Sequence, residues 1–220
     1  MCNRLKLKTD KTDFIFLGTR QQIEKSNFHS VQFGGIDVHL LTTVTCLGVL
    51  IDSELTFSAN IKSLNGRCLY QLRQLRNVRR AVSVEAARTL AHAFVISRVD
   101  YCNSIFGSTS AVHISPLQFV LKAEARLLFK RRKFDRIMDS LRDEQHWLPV
   151  QYRHIYKICF LVYKCMHQTV PSYVIEQFVS VAFSTAHSSL RSASNRDLMY
   201  PRANLVRHGL RSFTVMGPRT

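Results

Sequence analysis

The spacing of apolar residues changes once along the chain. Before about residue 57 they fall in short runs broken by turn residues, and beyond it they recur every three or four positions. Phe14-Ile-Phe-Leu17, closed by Gly18, predicts a strand after a turn near Thr9-Asp10. Val31-Gln-Phe33 and Ile36-Asp-Val-His-Leu40 flank Gly34-Gly35, the pattern of a hairpin with a two-residue turn. Thr43 to Ile51 is a further β-branched run, containing Gly48, and a short helix is expected near residues 20–26.

From Ser58 onward Ile61, Leu64, Cys68, Leu72 and Leu75 line one face of a helix that extends to about Arg80. Ser83 is a cap for a second helix over roughly 84–105, with Glu85 in its first turn and Leu90, Ala91, Phe94, Val95 and Ile105 among its apolar members. Ser115-Pro116 signals the start of a third helix, which carries Leu117, Val120, Leu121, Leu127 and Leu128. A short helix is expected at 134–143. A longer one runs from Pro149 to about His167 with Ile155, Ile158, Leu161, Val162 and Cys165 inward, and a last one runs from Pro171 to about Val181. Beyond Phe183 the chain turns Ser-, Arg- and Asn-rich, which predicts an extended or partly ordered tail with strand pieces near Leu198–Tyr200 and Phe213–Val215. The fold class is therefore α+β, mainly α. It divides into a β-rich segment at 1–56, a helical region at 57–183 and a basic tail at 184–220.

Charge adds the first functional signal. The 220 residues hold 31 Lys and Arg against 15 Asp and Glu, a net charge of +16, which favours polyanionic partners. The excess is local. Between Ser58 and Arg80 stand Lys62, Arg67, Arg73, Arg76, Arg79 and Arg80 without one acid, and Lys130, Arg131, Arg132 and Lys133 form a second cluster. A passive helix surface mixes its charges, so this bias points to phosphate contact. Residues 191–220 add six arginines against Asp197 alone.

Other chemistry is sparse. No apolar run reaches the length of a membrane span, and the N-terminal residues lack the apolar core of a signal peptide, so an intracellular protein of nucleus or cytoplasm is expected. None of the six cysteines forms a C-x-x-C pair, which fits free thiols in a reducing compartment. The nine histidines never pair at helical spacing, so no zinc site is expected. Two-metal polymerase or nuclease chemistry needs clustered carboxylates to hold ions about 4 Å apart. Here the acids are scattered and no Asp-Asp dipeptide occurs; Asp10 and Asp13 flank Lys11 and read as turn and strand-edge residues. No catalytic residue, metal ligand or cofactor is assigned. Trp147 has two readings, a ring stacked on a base or an anchor of its loop to the core.

Several segments in order carry a resemblance. They are Asn3-Arg-Leu-Lys-Leu7 with Asp10-Lys-Thr-Asp-Phe14, Cys46-Leu-Gly-Val-Leu-Ile-Asp52, Ser97-Arg-Val-Asp-Tyr-Cys-Asn103, Ala125-Arg-Leu-Leu128, His146-Trp-Leu-Pro-Val150 and Pro171-Ser-Tyr173. Together they resemble the C-terminal portion of reverse transcriptases of LINE-type, jockey-like non-LTR retrotransposons. The resemblance implies that the metal-binding aspartate pair, the fingers and most of the palm lie upstream of Met1, and Mg²⁺ would belong to that segment. It implies that Lys11 lies near the phosphates of an incoming nucleotide, a solvated turn lysine being the other reading. It also implies that Leu47, Gly48 and Asp52 belong to a hairpin that supports the primer strand, with Gly48 allowing close backbone approach. The helices from Ser58 would be the thumb, which packs along the template–primer duplex. Lys122 and Glu124 stand where small or amide residues are usual, and Gln168 stands where glycine is usual.

The expectation is thus a nucleic-acid-binding fragment of an RNA-directed DNA polymerase that is not a polymerase by itself. Its partners would be an RNA or DNA template–primer duplex and a palm and fingers segment in trans. The alternatives are a structural or interaction module, or a retroelement remnant without a function of its own.

Overall fold

The structure is a computed structural model that describes residues 8, 11–26, 28–107, 109–132, 134–137, 147–181, 197–203 and 209–219. It is α+β: a small β region precedes a series of helices. The chain divides into two compact units, Met1–Ser63 and Leu64–Thr220, so the division falls inside a helix and not at residue 56.

In the first unit, β1 (Phe14–Ile15) pairs in parallel with β3 (Ile36–Leu41), and β2 (Ser30–Phe33) pairs with β3 antiparallel, giving the order β1-β3-β2. Gly34 and Gly35 both have positive φ, 60° and 81°, as the mirror-image two-residue turn between β2 and β3 requires. Helix α1 (Arg20–Lys25) starts in a capping box. The Thr19 hydroxyl accepts from the Gln22 N–H, and the Gln22 carboxamide oxygen accepts from the Thr19 N–H. The run Thr43 to Ile51 folds back on itself as β4 (Thr43–Cys46) and β5 (Val49–Asp52), joined by Leu47-Gly48. Leu47 as well as Gly48 has positive φ there, 47° and 79°, and Leu47 is 82% exposed at the tip.

Helix α2 (Ser58–Val78) follows, and Ile61, Leu64, Cys68, Leu72 and Leu75 are all buried as the spacing predicts. In the second unit α3 (Val84–Ala91) begins at Ser83, whose hydroxyl accepts from the Ala86 N–H at 3.2 Å. A π-helical turn, His92–Ile96, joins it to α4 (Ser97–Asp100). The extra residue in that turn shifts the buried face from Ala87, Ala91 and Val95 onto Ile96 and Val99, and leaves Phe94 41% exposed instead of inward. The helix stops at Asp100, short of the expected 105. Cys102 takes a left-handed conformation and a 3₁₀ turn, Asn103–Phe106, begins.

Helix α5 (Ala111–Leu128) starts five residues before Pro116, because the cost of proline is locally offset. Pro116 has no N–H for the Val112 carbonyl, and the Ser115 hydroxyl donates to that carbonyl at 2.9 Å. Residues 134–137 are not helical, and the remainder of the helix expected at 134–143 lies outside the described residues. Helix α6 (Val150–Met166) buries Ile158, Val162 and Cys165, with His154 in place of the expected Ile155. The last predicted helix shrinks to α7 (Ser172–Ile175). Near the C-terminus Phe213–Met216 is a helical turn, α8, and not a strand. It packs closely, since a Cβ on Gly107 would lie 2.5 Å from the Met216 methyl carbon. Leu198 forms an isolated bridge with Ser180.

Both long helices of this unit close in a six-to-one bond, Arg131 N–H to Arg126 carbonyl after α5 and Thr169 N–H to Lys164 carbonyl after α6. The left-handed positions between are Lys130 and Gln168, at φ 53° and 55°. A side chain there costs about 1 kcal/mol relative to glycine.

Two partly buried side chains tie the helices together. Arg153 Nη1 donates to both carboxylate oxygens of Asp100 at 2.9 Å and its Nε donates to the Leu148 carbonyl, joining the end of α4 to the start of α6. Trp147 packs against Leu75, Ala87, Ala91 and Leu128, and on Ala125 and Ile137, so it is an anchor of its loop. Glu124, on the core face of α5, is fully buried, and neither carboxylate oxygen has a hydrogen-bond partner among the described residues. Burial lifts its carboxyl to about 8, against a smaller opposing pull from Arg153. The neutral acid is therefore the form the fold accepts. This contribution is complete below about pH 4.5, where the unfolded carboxyl is also protonated, and is lost as pH rises towards 8. His154 acts in the opposite sense, because burial lowers its pKa. We predict that Glu124→Gln removes a decline in unfolding free energy between about pH 4.5 and 8, at up to about 1.4 kcal/mol per pH unit. Chemical denaturation of both proteins across that range checks it, and parallel pH profiles would contradict it.

Candidate nucleic-acid interface

The two basic clusters of the sequence meet in one groove of the second unit, between the last turns of α2 and the outer face of α5. Its volume is about 1140 Å³. Arg76 lines it from α2 and Arg80 from the turn after it; Phe119, Lys122, Ala123, Arg126 and Leu127 line it from α5; Lys130, Arg131 and Phe134 line it beyond the end of α5. The α5 positions step by three and four, so they share one face while Leu117, Val120, Leu121, Ala125 and Leu128 occupy the core face. Small Ala123 keeps the floor of the groove low between longer neighbours.

Counting buried Arg79, seven bases and no acid stand among the described residues that line this groove. Such a concave, single-sign surface focuses potential and concentrates anions. Arg126 is half-buried, and its Nε has no hydrogen-bond partner among the described residues. Phe119 and Phe134 are 56% and 89% exposed beside these charges.

Arg79 plays a different part from the one its place in the basic helix suggests. It is only 6% exposed, and its guanidinium donates to three backbone carbonyls, Leu128 at 2.8 Å and Leu127 and Val82 at 3.3 Å. Leu127 and Leu128 are the last residues of α5, where carbonyls lack helical partners and the dipole favours a cation. Arg79 thus caps α5 and fixes the end of α2 beside it. It shapes the groove, and its donors are directed to the protein.

The other predicted contacts sort by position. Arg73 is exposed one turn before Arg76 on the same side of α2. Arg67 is exposed but lies about half a turn from Arg76, away from the groove. Lys62 is exposed near the start of α2, in the first unit. Arg132 is exposed outside the groove, with its backbone N–H bonded to Asp135, and Lys133 lies outside the described residues. Lys122, Arg126, Phe119 and Phe134 were missed from the sequence. The signal for three of them was the spacing Phe119, Lys122, Arg126, which marks the face of α5 opposite its apolar stripe.

In the first unit the Lys11 side chain is exposed before β1. The tip of the β4–β5 hairpin presents Leu47 and Gly48. A Cβ on Gly48 would meet nothing within 4 Å, so its φ of 79° is what calls for glycine. Asp52 works within the chain: its carboxylate accepts from the Thr56 N–H and hydroxyl at 2.8 Å and from the Phe57 N–H at 2.6 Å, just ahead of α2. Buried Asn60 accepts from the Leu50 N–H and joins the same hairpin to the first turn of α2.

Among the described residues, no group of three or more His, Cys, Asp and Glu could hold a metal ion, and no helix is long and apolar enough to cross a membrane. Cys46, Cys68, Cys102, Cys159 and Cys165 are free thiols. No family model matches the chain, and no curated protein or solved structure matches it.

The separation of Arg79 from its neighbours is measurable. Arg79→Gln should lower the unfolding free energy by about 2–3 kcal/mol, since it removes a buried cation and strands helix-end carbonyls. Arg76→Gln and Arg80→Gln should each change it by less than about 0.5 kcal/mol. Urea denaturation of the three variants checks this, and an equal effect at all three positions would refute the assignment.

Proposed function

We propose that the chain binds nucleic acid through the α2–α5 groove, as the thumb-like part of a retroelement reverse transcriptase. The observation that carries the reading is the gathering of Arg76, Arg80, Lys122, Arg126, Lys130 and Arg131 in one concavity, with no acid among the described residues of its lining. The ordered sequence segments support the polymerase context, and the basic helix after the β region is where the resemblance places a thumb. The metal-binding aspartates of that family match no position here, so synthesis is assigned to a palm and fingers segment and not to this chain alone. Mg²⁺ belongs to that chemistry. The bases contact phosphates and no arrangement of base-reading side chains is invoked, so binding is sequence-tolerant.

Docking onto another protein is the second reading. It draws on the exposed aromatic side of α6, where Tyr152, Tyr156 and Tyr163 are each more than half exposed. Salt separates the two. Neutralising phosphates releases counterions, so log affinity falls linearly with log salt in proportion to the contacts made. The Arg76→Gln, Arg80→Gln, Lys122→Gln, Arg131→Gln protein should bind two unrelated oligonucleotides equally more weakly than wild type. Its salt slope should be flatter by roughly one unit per lost contact. Arg67→Gln, outside the groove, should change little. Fluorescence anisotropy over a salt series reads all three, and an unchanged slope in the quadruple variant would sink the groove as the contact surface.

A further inference from the structure

We infer that the groove takes an unpaired strand, with a base stacked on Phe119, in preference to the backbone of a closed duplex. This rests on the nucleic-acid reading of the same groove and deepens it, and it departs from the duplex contact that the resemblance to a thumb implies.

The inference begins with a mismatch between the groove and a duplex. A duplex presents phosphates and sugars to a basic surface, and its base faces are hidden in the stack. Bases alone would serve such a ligand. Here an aromatic ring, 56% exposed, stands on the same helix face as Lys122 and Arg126, one turn from Lys122 and two turns from Arg126. Exposing a phenylalanine to water among guanidinium groups is unfavourable for the free protein, and a duplex gives nothing back for it. An unpaired nucleotide does. Its phosphate meets the bases of the groove, and its base has a π-face for the ring; this pairing of charged groove and aromatic platform is how single strands are held without sequence preference.

Shape agrees with chemistry. Ala123, one residue after Lys122 and one turn after Phe119, leaves the floor open beside the ring. The cavity of about 1140 Å³ is at the large end of the range for enclosed ligands, enough for a short stretch of one strand. Phe134, 89% exposed on the far side of the Lys130–Arg131 turn, offers a second apolar surface along the path of the strand. The half-buried Arg126 contributes an Nε donor that no described residue satisfies, and a phosphate oxygen in the groove would satisfy it.

The test uses the whole chain and two labelled probes. One is a single strand of about 12 nucleotides, within the site sizes of single-strand grooves, and the other is the same strand annealed to its complement. Phe119→Leu keeps an apolar helix-forming side chain and removes the π-face. Anisotropy titrations should show the single strand bound more tightly than the duplex. Phe119→Leu should weaken the single strand about tenfold and leave the duplex within about twofold. A fluorescent base analogue in the single strand should be quenched on binding to wild type and not on binding to Phe119→Leu. An equal loss for both probes, or none for either, overturns the stacking inference. In that case a steep salt slope that flattens in the quadruple groove variant would keep the nucleic-acid reading standing. Absence of salt-dependent binding to either probe would remove both.

Discussion

The buried guanidinium of Arg79 is the contact on which the second unit's candidate site depends. Three carbonyls converge on it, two from the end of α5 and one from the turn after α2. A helix end inside a protein leaves acceptors that must be satisfied, and a cation satisfies them while also meeting the negative end of the dipole. Because the donor directly follows α2 and two of the acceptors end α5, one group holds two helices at a fixed separation. The space left between their outer faces is the groove. Arg76 and Arg80, three residues before it and one after, are then carried on its wall, while Arg79 itself is withdrawn into the protein.

The same economy runs through the rest of the chain. Asp52 spends its carboxylate on the turn into α2, Arg153 joins α4 to α6 through Asp100, and the Ser115 hydroxyl occupies the carbonyl that Pro116 leaves open. These charges and hydroxyls work within the protein, on backbone groups or on each other. The groove residues do the reverse, presenting their charges outward with no acid among the described residues of the lining. Glu124 lies on the opposite face of α5 and is held neutral by burial near neutral pH, so it does not offset the positive field of the groove.

Much of this was legible in the sequence where local periodicity decides. The five inward positions of α2, the Gly34-Gly35 turn and the Ser83 cap all depend on residues within a turn of each other, and all are found as expected. What was not legible depends on distance. Arg79 reads as one more base on a basic helix because the carbonyls it serves are 48 and 49 residues further on. Pro116 reads as a helix start because a missing N–H is harmless there, and Ser115, whose hydroxyl compensates for it, reads as the cap. The tail turn Phe213–Met216 alternates weakly enough to resemble a strand, and its contact with Gly107 decides otherwise. The face of α5 that carries Phe119, Lys122 and Arg126 was present in the spacing, but as the polar side of a helix it looked like ordinary solvated surface.

Two exposed aromatic surfaces compete for a role in this unit, Phe119 with Phe134 in the groove and the tyrosine side of α6. The groove joins aromatic rings to a concave set of bases with no acid among the described lining residues, which the tyrosine side of α6 does not, and the account stands on that difference. Photo-crosslinking separates them most directly: a thiouridine-substituted single strand is irradiated with the whole chain, and the attachment sites are mapped by mass spectrometry. The account predicts attachment on the α5 face and the following turn, residues 119–134, that is lost in competition with unlabelled strand. Attachment confined to Tyr152, Tyr156 and Tyr163 of α6 would contradict it.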